Sequence, residues 1–126
     1  MAGLISPGIG PANLYLLGSE NAAHTITGVT SGASAPIQVL GGPRDVTFWL
    51  TSVGTTSGGT ILIEETDAPE DTTPTWSVIQ TILASSFTGG AKTAAHVRIG
   101  AGVWVRLRIS SAITGGGTIY ARMSGQ

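Results

Sequence analysis

Apolar and polar positions alternate along most of this chain with a period of two, which places successive side chains on opposite faces of an extended strand. The clearest stretch covers residues 103–109, where Val103, Val105, Leu107 and Ile109 fall on one side and Trp104, Arg106 and Arg108 on the other. Val46, Phe48 and Leu50 oppose Thr47, Trp49 and Thr51 in the same way. Ala95, Val97 and Ile99 oppose His96 and Arg98, and Ile119, Ala121 and Met123 oppose Tyr120 and Arg122. Trp76, Val78 and Ile82 share a face from which only Gln80 departs. The pattern predicts eight strands, over roughly residues 23–29, 37–40, 45–53, 60–66, 75–83, 93–99, 103–110 and 118–124.

The breaks between these segments are clusters of Gly, Ser and Pro, such as Gly41-Gly42-Pro43, Gly100-Ala101-Gly102 and Gly115-Gly116-Gly117. Such clusters supply the backbone freedom that chain reversals need. No heptad, tandem repeat or amphipathic helix is apparent. Short, regularly spaced strands with turn signals between them predict an all-β fold, a single antiparallel β-sandwich of jelly-roll-like form. A one-residue slip would exchange inner and outer sets, so the core follows from the alternation. It is expected to contain Val46, Phe48, Leu50, Ile61, Ile63, Trp76, Val78, Ile82, Val97, Val105, Leu107, Ile109 and Ile119.

Residues 1–22 are punctuated by Gly and Pro and read as an N-terminal arm, with residues 23–126 forming the sandwich domain. Leu14, Tyr15, Leu16 and Leu17 make an apolar patch within the arm. Either the arm is a loosely ordered terminus, or it packs on a neighbouring subunit, because apolar area left in water is costly.

Composition removes several function classes. At 126 residues the chain is one ordinary domain, and with no cysteine it has no disulfide framework, thiolate nucleophile or cysteine-ligated zinc. The net charge of −1, with Lys92 the single lysine, offers no general attraction to nucleic acid or anionic membrane. Low net charge also means weak self-repulsion, which suits an assembly. No apolar run reaches the length of a membrane span, and Pro7, Gly8, Gly10 and Pro11 interrupt any secretory signal. The expectation is synthesis in a cytoplasm.

Candidate chemistry is sparse. His24 and His96 are the two histidines, and no nucleophile elbow accompanies them, so no catalytic residue, cofactor site or metal site is nominated. Five of the seven acids lie in the segment Glu64-Glu65-Thr66-Asp67-Ala68-Pro69-Glu70-Asp71. Glu64 and Glu65 are consecutive on a strand and must point oppositely, so they cannot form a hydrolytic pair. The 67–71 loop reads as solvated, with calcium the alternative. The glycine runs are not followed by the Gly-Lys-Ser/Thr of a phosphate cradle, and read as turns.

The arginines carry more. If the last two strands pair as a hairpin around residues 113–117, Trp104, Arg106 and Arg108 share a face with Tyr120 and Arg122. His96 and Arg98 join that face if the preceding strand also pairs there. Arg mixed with Trp and Tyr is the composition enriched at protein–protein hot spots. The same mixture also suits a surface network with Glu64 or Glu65, or a stacking platform for a glycan.

The stretch Gly59-Thr60-Ile61-Leu62-Ile63-Glu64-Glu65-Thr66-Asp67, continued by Thr75-Trp76-Ser77-Val78, resembles small β-sandwich proteins of tailed bacteriophages. In those proteins a strand ending in Glu-x-Ser-x-Asp runs through a polar loop into Thr-x-Trp-x-x-Val. Residues 103–110 and 118–122 look like their closing hairpin, so the resemblance spans Gly59 to Met123, about half the chain. Here Thr66 stands in place of the usual Ser, and the loop is longer and more acidic. The resemblance implies a virion structural role as a head decoration, head-fibre or tail protein. The expectation that follows is a non-enzymatic capsid decoration protein, made in the host cytoplasm and found in the virion. It would form a homotrimer and dock on the major capsid or a tail protein. Leu14, Tyr15, Leu16, Leu17, Trp104, Arg106, Arg108, Tyr120 and Arg122 are its expected interface residues. The alternative is a carbohydrate- or receptor-binding module, with Trp49, Trp104 and Tyr120 as stacking platforms.

Overall fold

The computed structural model describes residues 14–20, 26–39 and 43–125. Among them run eleven strands: β1 (Leu14–Leu17), β2 (Ser19–Glu20), β3 (Ile26–Thr27), β4 (Gly32–Ala33), β5 (Ile37–Gln38), β6 (Arg44–Val53), β7 (Gly58–Thr66), β8 (Ser77–Leu83), β9 (Lys92–Ile99), β10 (Trp104–Thr114) and β11 (Thr118–Gly125). A single 3₁₀ turn, Ala84–Phe87, links β8 to β9. The six long strands fall where the alternation predicts. Of the first two predicted segments, residues 23–25 and 40 lie outside the described residues; in the remainder β3 pairs with β2, Val29 bridges to Ile119, and β5 covers Ile37 and Gln38.

Two antiparallel sheets form the sandwich, one in the order β1-β11-β6-β9 and the other β4-β10-β7-β8, with β5 also alongside β10. Taking β4 and β5 as one interrupted strand, the pairs β1·β11, β4/β5·β10, β6·β9 and β7·β8 are nested one inside the next. This is one long antiparallel hairpin rolled up on itself, the jelly-roll arrangement. β1 belongs to the sandwich: Leu14 and Tyr15 pair with Met123 and Arg122, and Leu17 is buried in this chain's own core.

Two expected pairings do not occur. β10 and β11 are not a hairpin, since β10 pairs with β7 while β11 pairs with β6. Likewise β9 pairs with β6 and not with β10. The turn at Gly115-Gly116-Gly117 carries the chain from one sheet to the other. Gly115 and Gly116 have φ of 105° and 91°, and the Gly117 amide donates to the Thr55 carbonyl at 2.7 Å. A Cβ at Gly117 would lie 2.5 Å from the Thr55 carbonyl oxygen and 2.6 Å from that of Val53, so this corner requires glycine. Its backbone is bound to the 53–57 connection and not to a hairpin partner.

The core joins the inner faces of both sheets. Val46, Phe48, Leu50, Ile61, Ile63, Ile82, Val105, Leu107, Ile109 and Ile119 are buried as expected, with Val39, Phe87, Ile99, Ile113 and Met123 added. Three expected core residues differ: Val97 is half-buried, Trp76 precedes β8 on the outside, and Val78 is 51% exposed. A β-bulge explains Val78. Ile63 pairs with Gln80 but the next residue, Glu64, pairs with Val78, leaving Ile79 as the extra residue. The bulge reverses the alternation, so Ile79 packs on the core and Val78 turns to the Glu64 side.

Candidate outer-face site around Glu64

The ladder between β7 and β10 sets Arg106 opposite Glu64, Arg108 opposite Leu62 and Trp104 opposite Thr66. The inner positions of these strands are buried, so this set faces out. Yet Glu64, on that outer face, is only 3% exposed. Arg106 Nε donates to Glu64 Oε1 at 2.9 Å, and Arg108 Nε donates to the same oxygen at 3.1 Å. Arg108 Nη2 donates to Oε2 at 3.1 Å, so Arg108 grips the carboxylate with two parallel bonds. The Arg106 guanidinium also lies 4.1 Å from the centroid of the Trp76 ring, within cation–π range.

Burial pushes the Glu64 carboxyl up, but hydrogen bonds from Arg108 and Arg106, and their charges, outweigh it and hold the group below its ordinary value. The Arg108 guanidinium is raised by its hydrogen bond to Glu64, against a smaller effect of burial. Two guanidiniums on one carboxylate leave one net positive charge, framed by Trp76 and Trp104. The arrangement presents an aromatic and cationic surface whose guanidiniums are already hydrogen-bonded to Glu64. Arg106, Arg108 and Trp104 share this face as the alternation predicts, and the carboxylate partner is Glu64. Trp76, expected in the core, lies instead against Arg106 on this face; its position next to the acidic loop is the signal in the sequence.

Tyr120 and Arg122 do not join this face. They lie on the outer side of the other sheet, where Arg122 pairs with Trp49 and Tyr120 with Thr51. His96 and Arg98 are there too, opposite Thr47 and Asp45. Trp49 organises this second face: its Nε1 donates to Ser124 Oγ at 3.3 Å, the His96 ring meets it edge-on at 6.5 Å, and Lys92 Nζ lies 5.9 Å from its centroid. Thr47 Oγ1 and His96 Nδ1 are 2.9 Å apart, and Arg98 forms an exposed 3.1 Å pair with Asp45. Arg122 Nε is buried without a hydrogen-bond partner. The single expected arginine–aromatic face is therefore two faces, on opposite sides of the sandwich. Of the expected N-terminal interface residues, Leu17 is buried internally and Leu16 packs against the core. The side chains of Leu14 and Tyr15, like His24, lie outside those described.

An open groove at one end of the sandwich is lined by Glu65, Thr66, Asp67, Thr75, Ser77 and Val103. Among the described residues no three His, Cys, Asp or Glu side chains converge as metal ligands.

No protein-family model and no curated protein matches this sequence. Among solved structures, the chain is similar to the K1 cleaved adhesin domain of Lys-gingipain from Porphyromonas gingivalis W83. That similarity has a TM-score of 0.47 at 13% identity and covers 95% of this chain and 77% of the other.

Proposed function

We propose that this chain is a non-enzymatic structural protein of a tailed-phage virion, a capsid decoration protein that self-associates and docks on the shell through its outer faces. The observation that carries the reading is the Trp76–Arg106–Glu64–Arg108 arrangement. Its guanidiniums are pre-ordered, so a partner that buries this face recovers contact area with little side-chain ordering cost. The low charge content and a jelly-roll fold of the kind used in viral shells support the same reading. Trimerisation around one face is the expected form. The test is the protein content of purified particles of the phage that encodes the chain. Stoichiometric presence, with density on the head exterior in electron microscopy, supports the proposal. Particles complete without the chain overturn it.

A glycan-binding role is the second reading, favoured by the groove. Glu65, Asp67, Thr66, Thr75 and Ser77 offer carboxylates and hydroxyls suited to sugar hydroxyl groups, and Val103 an apolar wall. A glycan array without hits, together with unchanged tryptophan fluorescence on adding sugars, retires it.

A further inference from the structure

Each sheet of an open sandwich ends in strands whose outward backbone groups can pair with another chain, and natural edges are blunted by shortness, bulges or charge. Among the described residues, three of the four edges here are blunted. β1 has four residues and a register break between Tyr15 and Leu17. The β4/β5 edge consists of two-residue pieces. β9 is longer but carries Lys92, His96 and Arg98. The fourth edge, β8, reads Ser-Val-Ile-Gln-Thr-Ile-Leu and contains no charge and no proline. Its only device is the bulge at Ile79, beyond which Gln80–Leu83 runs in regular register. Among the described residues, two of the three exposed large hydrophobics, Val78 at 51% and Leu83 at 55%, lie on it.

From this, the geometry points to β8 as a self-association edge, pairing antiparallel with β8 of a second copy across a two-fold axis to join two five-stranded sheets. Charge compatibility with a second copy selects the orientation. All seven acids of the chain precede residue 72, and three of them, Asp67, Glu70 and Asp71, lie in the loop leading into β8. The residues that follow β8, from the 3₁₀ turn to Lys92, contain no acid. Antiparallel pairing sets the acidic loop of one copy beside the acid-free end of the other. A parallel arrangement would bring the acidic loops together, at an electrostatic cost. A two-fold contact uses the same patch on both copies, so one uncharged strand is sufficient for both sides. The inference is independent of the virion reading.

The experiment is sedimentation velocity and native mass spectrometry on the full chain at micromolar concentration, with hydrogen exchange at low and high concentration. The expected result is an even-numbered assembly, a hexamer where trimers are joined through β8, in which the β8 amides gain protection as concentration rises. Val78→Lys with Leu83→Lys puts like charges along the edge; it is expected to give monomers with an unchanged circular dichroism spectrum. Gln80→Lys serves as a second variant should the double change impair folding. A wild-type chain that stays monomeric overturns the inference. So does an oligomer that persists in a folded variant with β8 exchange indifferent to concentration, an outcome that leaves docking through the outer faces untouched.

Discussion

The Arg106 guanidinium stands 4.1 Å from the centroid of the Trp76 ring while its Nε holds Glu64 at 2.9 Å. One side chain thus ties the end of the acidic loop to the β7–β10 ladder. A double-mutant cycle with Trp76→Ala and Arg106→Ala is expected to show a coupling of about 0.5–1 kcal/mol in chemical denaturation. Strict additivity would mean the stacked geometry contributes nothing in solution.

Because Glu64 is buried between two arginines, Glu64→Gln removes the carboxylate charge that balances them. The expected loss is about 1–3 kcal/mol, below the range for a fully buried pair because Arg106 and Arg108 are 22% and 38% exposed and partly screened. Arg98→Ala is the control: its pair with Asp45 is about two-thirds exposed on both sides, and the change is expected within about 0.5 kcal/mol.

The same site makes stability depend on acid. The Glu64 carboxyl is held below its ordinary value in the folded state, so the unfolded chain takes up its proton first as pH falls. The contribution is complete above the ordinary glutamate pKa of about 4.3 and is lost as pH drops through the lower folded value. Thermal melts from pH 6 downward are expected to fall more steeply for the wild type than for Glu64→Gln across this window. Parallel curves would show that Glu64 is not held as its contacts indicate.

Gly117→Ala tests the crossing between sheets. The added methyl meets two carbonyl oxygens of the 53–57 connection, neither at the flexible end of a side chain. A loss of about 1–3 kcal/mol is expected in urea unfolding. An unchanged midpoint would mean the corner can shift.

Val105 is fully buried opposite Glu65 and Ile37, at the centre of the five-stranded sheet. Val105→Asp strands a charge without a partner and is expected to abolish cooperative melting. A folded variant would contradict the inward assignment of β10.

Strand positions and inner faces were legible in the residues because the two-residue period is local: each side chain's direction follows from its neighbours along the chain. Val105, Leu107 and Ile119 could therefore be placed inside without knowing what they touch. The rhythm misled at Val78, which the bulge at Ile79 turns outward. Pairing is different, because a glycine turn permits both a hairpin and a crossing. The backbone bonds of Gly117 and Ser57 to the opposite connection decide between them, and they join residues distant in sequence. The tertiary structure alone therefore separated Arg106 from Arg122, enclosed Glu64 beneath Arg106 and Arg108, and left β8 at an edge.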